Sequence, residues 1–151
     1  MIRTLFLGLL ILVVPCLSYA QFQDIKYGEV SIEEMNFTHS EIDSSASAEI
    51  FYKKGEMYFD HKMQLVYKHH VRIKIYNEAG YDYATESFTY VDRDQGQHLQ
   101  KVKGATFVLK DGKIKEYKLD DKYVFEKDIN GDWIEVKFTM PNLEPGAIIE
   151  Y

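Results

Sequence analysis

Five histidines, His39, His61, His69, His70 and His98, are the residues best suited to acid–base or metal chemistry near neutral pH. A catalytic or metal site needs several of them to converge. His69 and His70 are neighbours in the alternating stretch QLVYKHHVRIKIY, so their rings point to opposite faces and cannot chelate one ion together. His69 shares parity with Val71 and Ile73, which fits a semi-buried histidine with a hydrogen-bonded ring. Asp60-His61 reads as a strand-edge pair. Among the carboxylates, Asp92-Arg93-Asp94-Gln95-Gly96 has two acids and a glycine at calcium-loop spacing. It lacks the terminal bidentate acid and the flanking helices, so it reads as a solvated loop. Asp128, Asn130 and Asp132 repeat that spacing and are equally explained by a hairpin turn. No serine sits in a nucleophile elbow, and no Gly-rich loop follows a parallel strand. No catalytic residue, metal site or cofactor is expected.

Aromatic residues make up 15% of the chain, with twelve Tyr and one Trp, enough to furnish a sugar-stacking platform. Trp133 and Tyr117 are the candidate platform residues. The same abundance is what strands of a sandwich select, because Tyr packs its ring and wets its hydroxyl.

The only cysteine, Cys16, lies in a leader. Arg3, the apolar run Leu5 to Val14 and the small-x-small Ser18-Tyr19-Ala20 form a secretory signal peptide over 1–20, cut between Ala20 and Gln21. The run is too short to span a membrane, and Pro15 interrupts it. A lipoprotein reading, with Cys16 acylated, ranks second because Pro15 stands where a small residue is expected. Cleavage leaves 131 residues with 17 basic and 24 acidic side chains, a net charge of −7. Such a chain has no disulfide, no thiolate ligand and no cysteine nucleophile. An acidic exported domain is not a nucleic-acid binder by its bulk field.

The elements that must position these residues are strands. A lead-in over 21–45 contains Ser31-Ile32-Glu33-Glu34, capping-box spacing for a short helical turn to about Asn36. The domain proper covers 46–151. Gln64 to Tyr90 reads as one long hairpin: Leu65, Tyr67, His69, Val71, Ile73 and Ile75 on a buried face, and Lys68, His70, Arg72 and Lys74 on a solvent face. Asn77-Glu78-Ala79-Gly80 would be its turn, with Asn77 capping and Gly80 left-handed. Lys53-Lys54-Gly55-Glu56 is expected to turn the chain before it. Leu99 to Leu109 reads as a strand, bulged at Gly104. Lys110-Asp111-Gly112-Lys113 is a two-residue hairpin signal, and Asn130-Gly131 marks another tight turn. Asp132 to Met140 alternates, and Ala147 to Tyr151 opens a further strand after a Pro-Gly turn. The expected core is Leu65, Val71, Ile73, Ile75, Phe107, Leu109, Ile134, Val136 and Phe138. Short strands between regular turn signals predict an all-β, antiparallel β-sandwich with one or two short helical turns.

Three stretches carry a resemblance: Asp43-Ser44-Ser45-Ala46-Ser47-Ala48, then YKHHVRIKIYNEAG over 67–80, then KFTMPNLEPGAIIEY over 137–151. Together they resemble the domain of unknown function 3857, across essentially all of Ile25 to Tyr151. The resemblance implies a β-rich sandwich in the bacterial envelope, periplasmic or secreted. It implies a transglutaminase-like, papain-related domain downstream in the same polypeptide as partner, with the catalytic Cys, His and Asp there. On that basis the chain is expected to be a truncated N-terminal piece, non-catalytic, positioning its neighbour or binding protein or peptide. The alternative is a carbohydrate-binding module that holds polysaccharide on exposed Tyr and Trp faces. An enzyme using His and carboxylates is a third reading, ranked below both.

Overall fold

The computed structural model describes residues 24–92, 97 and 99–151. The expected signal segment, with its Ala20–Gln21 cleavage site, and most of the Asp92–His98 loop lie outside them. The described chain forms the expected antiparallel β-sandwich. Its strands are β1 (Ala48–Phe59), β2 (Leu65–Ile75), β3 (Thr85–Val91), β4 (Ala105–Lys110), β5 (Lys113–Lys118), β6 (Val124–Asp128), β7 (Trp133–Thr139) and β8 (Ile148–Glu150). One sheet runs β1-β2-β8-β4-β5 and the other β3-β7-β6. A single α-helical turn, α1 (Ile32–Asn36), precedes them.

Several local signals that rest on hydrogen-bonding side chains or on positive φ are realised. Ser31 and Glu34 form the capping box of α1, with the Glu34 amide donating to Ser31 Oγ and the Ser31 amide to Glu34 Oε2. Asp111 (φ 53°) and Gly112 (φ 71°) close β4 on β5 as a two-residue turn. Gly131 at φ 80° closes β6 on β7, and Asp120 caps a short 3-10 turn over Asp121–Tyr123.

The long hairpin is partnered differently from the sequence expectation. β2 pairs with β1 along its whole length and with β8, whereas β3 pairs with β7 in the other sheet. The intervening Glu78–Ala84 winds into a 3-10 helix, so the chain crosses between layers there instead of folding back. Asn77 does cap it, accepting from the Ala79 amide, but Gly80 is not left-handed. Gly80 serves close approach instead. A β-carbon on it would lie 2.4 Å from the Ser47 carbonyl oxygen. That carbonyl accepts from the Tyr76 amide and cannot retreat without loosening the start of β1. Gly80→Ala is therefore expected to cost about 1–3 kcal/mol as local overpacking, read as a lowered urea midpoint.

The turn that opens β2 also lies further along than expected. Asp60 Oδ1 accepts from the Lys62 and Gln64 amides, and Met63 takes φ 61°. An aspartate that closes its own turn outcompetes Lys53-Lys54-Gly55-Glu56, which runs straight through β1. Gly55 makes room for the Tyr67 ring, whose hydroxyl would lie 3.1 Å from a β-carbon there. The fourth strand begins only at Ala105, after Gly104.

The core lies between the sheets. Val71, Ile73, Ile75 and Ile149 from one meet Phe138 and Met140 from the other. A second cluster, Met35, Ala105, Phe107 and Ile148, fills the space beneath α1. Of the expected core residues, Val71, Ile73, Ile75, Phe107, Val136 and Phe138 are buried, and Leu109 and Ile134 partly so. Leu65 is not: it is 59% exposed. It sits on the length of β2 that pairs only with β1, because β8 reaches β2 only from Arg72 to Lys74.

Candidate functional site

The densest gathering of charge lies on the face of β2 that its sequence marks as solvated. His70, Arg72 and Lys74 share that face, and the register Arg72↔Glu150 adds Glu150 from β8. The face is covered by the chain before β1. This strap, from Asp24 through α1, is too short to be stable alone and takes its stability from docking. Arg72, Lys74 and Glu150 are at most 1% exposed.

The hydrogen bonds account for that burial. One Arg72 terminal nitrogen donates to Glu34 Oε1 at 2.6 Å. The other donates to Glu150 Oε1 at 2.9 Å and to the Lys26 carbonyl at 3.2 Å. Glu150 Oε1 also meets His70 Nε2 at 2.7 Å, and its Oε2 accepts from the Gly28 amide at 2.9 Å. Lys74 Nζ donates to the carbonyls of Met35 (2.7 Å) and Gly146 (2.6 Å). The capping box therefore places Glu34 as well as starting α1. Burial opposes ionisation of Glu34, but the Ser31 amide and the Arg72 guanidinium outweigh it and hold the carboxyl below its ordinary value. Tyr27 and Tyr52 flank the His70 ring, at 6.1 and 5.0 Å between centroids. Asp24 ties the front of the strap to Tyr52 (3.0 Å) and Lys54 (2.6 Å).

A histidine beside a buried carboxylate has the geometry of an oriented base. Here the next member is missing. Among the described residues no serine, threonine or tyrosine hydroxyl is hydrogen-bonded to His70, whose ring bonds only to Glu150. The Glu150 carboxylate is taken up by three donors. Apart from Arg72 Nε, which finds no partner among the described residues, the network is hydrogen-bonded, and it fixes the strap in one register on the sheet.

Burial pulls the Lys74 amine down to about 8. A neutral amine keeps two N–H groups, enough for both carbonyls, so the fold tolerates its deprotonation. Between about pH 8 and 10.5 the unfolded chain holds a proton that the folded chain has released, and stability rises with pH there, by about 1.4 kcal/mol for each unit climbed. Tyrosines work the other way. Burial pushes Tyr27 up to about 12, so its contribution is complete below pH 10 and fades above it. The urea midpoint is expected to rise between pH 8 and 9.5, and Lys74→Met should abolish the rise. A falling midpoint in wild type would contradict the burial of this amine.

His69, the histidine singled out by sequence parity, is exposed. Among the described residues no side chain hydrogen-bonds to its ring; it stacks on Tyr67 at 6.2 Å and meets the Tyr151 edge at 6.3 Å. Partial burial lowers its pKa from the ordinary imidazole value. Of the platform candidates, Trp133 is 42% exposed at the start of β7, and Tyr117 is half-buried on β5. They belong to different sheets. Trp133 instead shares the outer face of the three-stranded sheet with Phe125, which is 62% exposed. The Asp128–Asp132 acids and amide serve their turn: Asp128 Oδ1 accepts from Gly131, and Asn130 Oδ1 from Asp132 and Trp133. In the candidate calcium loop, Arg93 to Gly96 and His98 lie outside the described residues. Among the described residues no group of three or more His, Cys, Asp or Glu could hold a metal ion, and no helix is long and apolar enough to cross a membrane.

Arg72, Lys74, Glu150 and Glu34 were missed as a cluster by sequence reasoning. Two signals point to them: a helix too short to stand alone, which needs a surface to cover, and a lone acid inside the apolar run Ala147-Ile148-Ile149-Glu150. No family model matches the chain, and neither a curated protein nor a solved structure does.

Proposed function

We propose that this chain is a non-catalytic, exported β-sandwich module that binds or positions another protein, at the N-terminal side of a transglutaminase-like envelope protein. The observation that carries the first half is the fate of its chemistry-bearing groups. His70, Arg72, Lys74, Glu150 and Glu34 are committed to one another and to the strap. Large apolar and aromatic side chains remain exposed along the β1–β2 ribbon, among them Met57, Tyr58, Phe59, Leu65 and Tyr67. The second half is supported by the resemblance of residues 67–80 and 137–151 to the domain of unknown function 3857, and by the secretory leader over 1–20.

The test is to read the coding sequence past codon 151 and titrate the separately produced downstream segment into this chain by calorimetry. A downstream Cys, His and Asp in that order, with saturable binding, is the expected result. A continuation without that triad would remove the transglutaminase assignment, and a triad-bearing segment that does not bind would remove the positioning role.

A carbohydrate-binding role has one observation in its favour, the exposed pair Trp133 and Phe125 on a single sheet face. Since Trp133 is the only tryptophan, its fluorescence reports this face alone. Oligosaccharides that shift it saturably, and fail to bind Trp133→Ala, would support that role over protein binding.

A further inference from the structure

The β1–β2 ribbon outruns the rest of its sheet. Val71 is the last residue of β2 flanked on both sides, by Lys53 of β1 and by Tyr151. From there to Leu65 the strand runs on for about 20 Å with β1 alone beside it. This length carries apolar side chains on both faces and at its turn. Met57, Phe59, Leu65 and Tyr67 share one face, 67%, 64%, 59% and 65% exposed. Tyr58 pairs with Val66 on the opposite face, and Met63, 76% exposed, stands on the turn between the strands. Lysines ring the same tip. Lys62 is on the turn, Lys68 follows Tyr67, and Lys53 lies at the base of the apolar face. These three make no ion pair among the described residues, whereas Lys54 is taken up by Asp24 and Glu56. From Lys53 to His69 four lysines stand against Glu56 and Asp60, an excess of +2 on a chain whose net charge is −6.

We propose that this tip docks on an anionic bilayer surface, seated in the headgroup layer. Three observations select a lipid surface as the occupant. The first is placement. A protein partner covers one face of a ribbon, whereas a lipid interface takes in both faces and the turn at once. The second is the mixture of side chains. Tyrosine rings sit at headgroup level, and lysine lays its stem along apolar surface while its ammonium reaches phosphate. The third is charge. The local excess opposes pairing with a second copy of the same ribbon and attracts anionic lipid, each lysine near such a surface strengthening binding about fivefold. The acidic body does not cancel this attraction, because about 20 Å of ribbon is more than two screening lengths of about 8 Å at physiological salt. Depth is limited by the backbone. Both strands have an open edge along this length, and their outward N–H and C=O groups need water, so the tip stops short of the acyl core.

The inference rests on the ribbon alone and does not depend on a transglutaminase-like domain downstream. Flotation of the purified chain with vesicles of about one-third phosphatidylglycerol in phosphatidylcholine, and with phosphatidylcholine alone, tests it. Leu65→Glu, Lys62→Gln and Ile42→Glu are compared with the unmodified chain. All three are at exposed positions, and an unchanged urea midpoint shows that they fold. The expected result is partition into the anionic vesicles that weakens as salt is raised. It should be at least about tenfold weaker on the neutral vesicles and in Leu65→Glu, and about fivefold weaker in Lys62→Gln. Ile42→Glu makes the same chemical change away from the ribbon, at a residue 91% exposed, and should leave partition unchanged. No partition into anionic vesicles, equal partition of Leu65→Glu, or an equal loss in Ile42→Glu overturns the proposal. A chain that ignores vesicles but binds the downstream segment, and loses that binding in Leu65→Glu, overturns it in favour of a protein on this face and leaves the positioning role standing.

Discussion

Replacing Arg72 with alanine is expected to destabilise the chain by about 3–5 kcal/mol, the cost of leaving a buried charge without its partner. The guanidinium joins two carboxylates from distant parts of the sequence, Glu34 on α1 and Glu150 on β8. Without it, Glu150 stays fully buried with only His70 and the Gly28 amide, and Glu34 loses the contact that docks α1. Arg72→Lys should recover only part of the loss, since a single ammonium cannot reproduce the fork that spans both acids. Lys68→Ala, at an exposed position of the same strand face, should change stability by less than about 0.5 kcal/mol. Chemical denaturation of the three variants checks the series. An Arg72→Ala as mild as Lys68→Ala would mean that the strap does not close over the sheet.

Ile73→Ala is expected to cost about 2–5 kcal/mol through the cavity it leaves. The side chain is 3% exposed and packs with Val71, Ile75, Phe138 and Ile149 between the sheets. Its neighbour Lys74 would be nearly neutral if the opposite face were wet, as strand alternation in the sequence predicts. The structure reverses that expectation. Lys74→Ala removes the donor from the carbonyls of Met35 and Gly146 and should cost about 1–3 kcal/mol. Adjacent residues on opposite faces are both costly because β2 is covered on both sides here. Free energies from urea unfolding of the two variants decide it, and a neutral Lys74→Ala would restore the one-sided strand.

The contrast between these residues shows what the sequence could and could not disclose. Turns closed by a side chain or by positive φ were legible: Asp111-Gly112, Asn130-Gly131, the Ser31 capping box and the Asn77 cap all depend on neighbours within a few positions. The sandwich class followed from the alternation of β2 and β7. Strand partnership was not legible, because the sheet to which β3 belongs is settled by packing against β7, more than 40 positions away. The strap over Arg72 and Lys74 was hidden for the same reason. Alternation reports that two faces differ in polarity, and a salt-bridged, fully covered face has the same spelling as a solvated one. Leu65 failed in the opposite sense: its parity is that of the core, but the second sheet does not reach it.

The most direct measurement of whether the charged cluster is scaffold and not an open site is hydrogen exchange at the Gly28 amide. That N–H donates to Glu150 Oε2 at 2.9 Å, so it reports on strap closure at a bond made directly to the cluster. Gly28 is expected to be protected far beyond a free loop amide, and Arg72→Ala or Glu150→Gln to erase the protection. Exchange at the rate of an unstructured loop in the unmodified chain would place His70, Arg72 and Glu150 in contact with solvent, and would contradict the account.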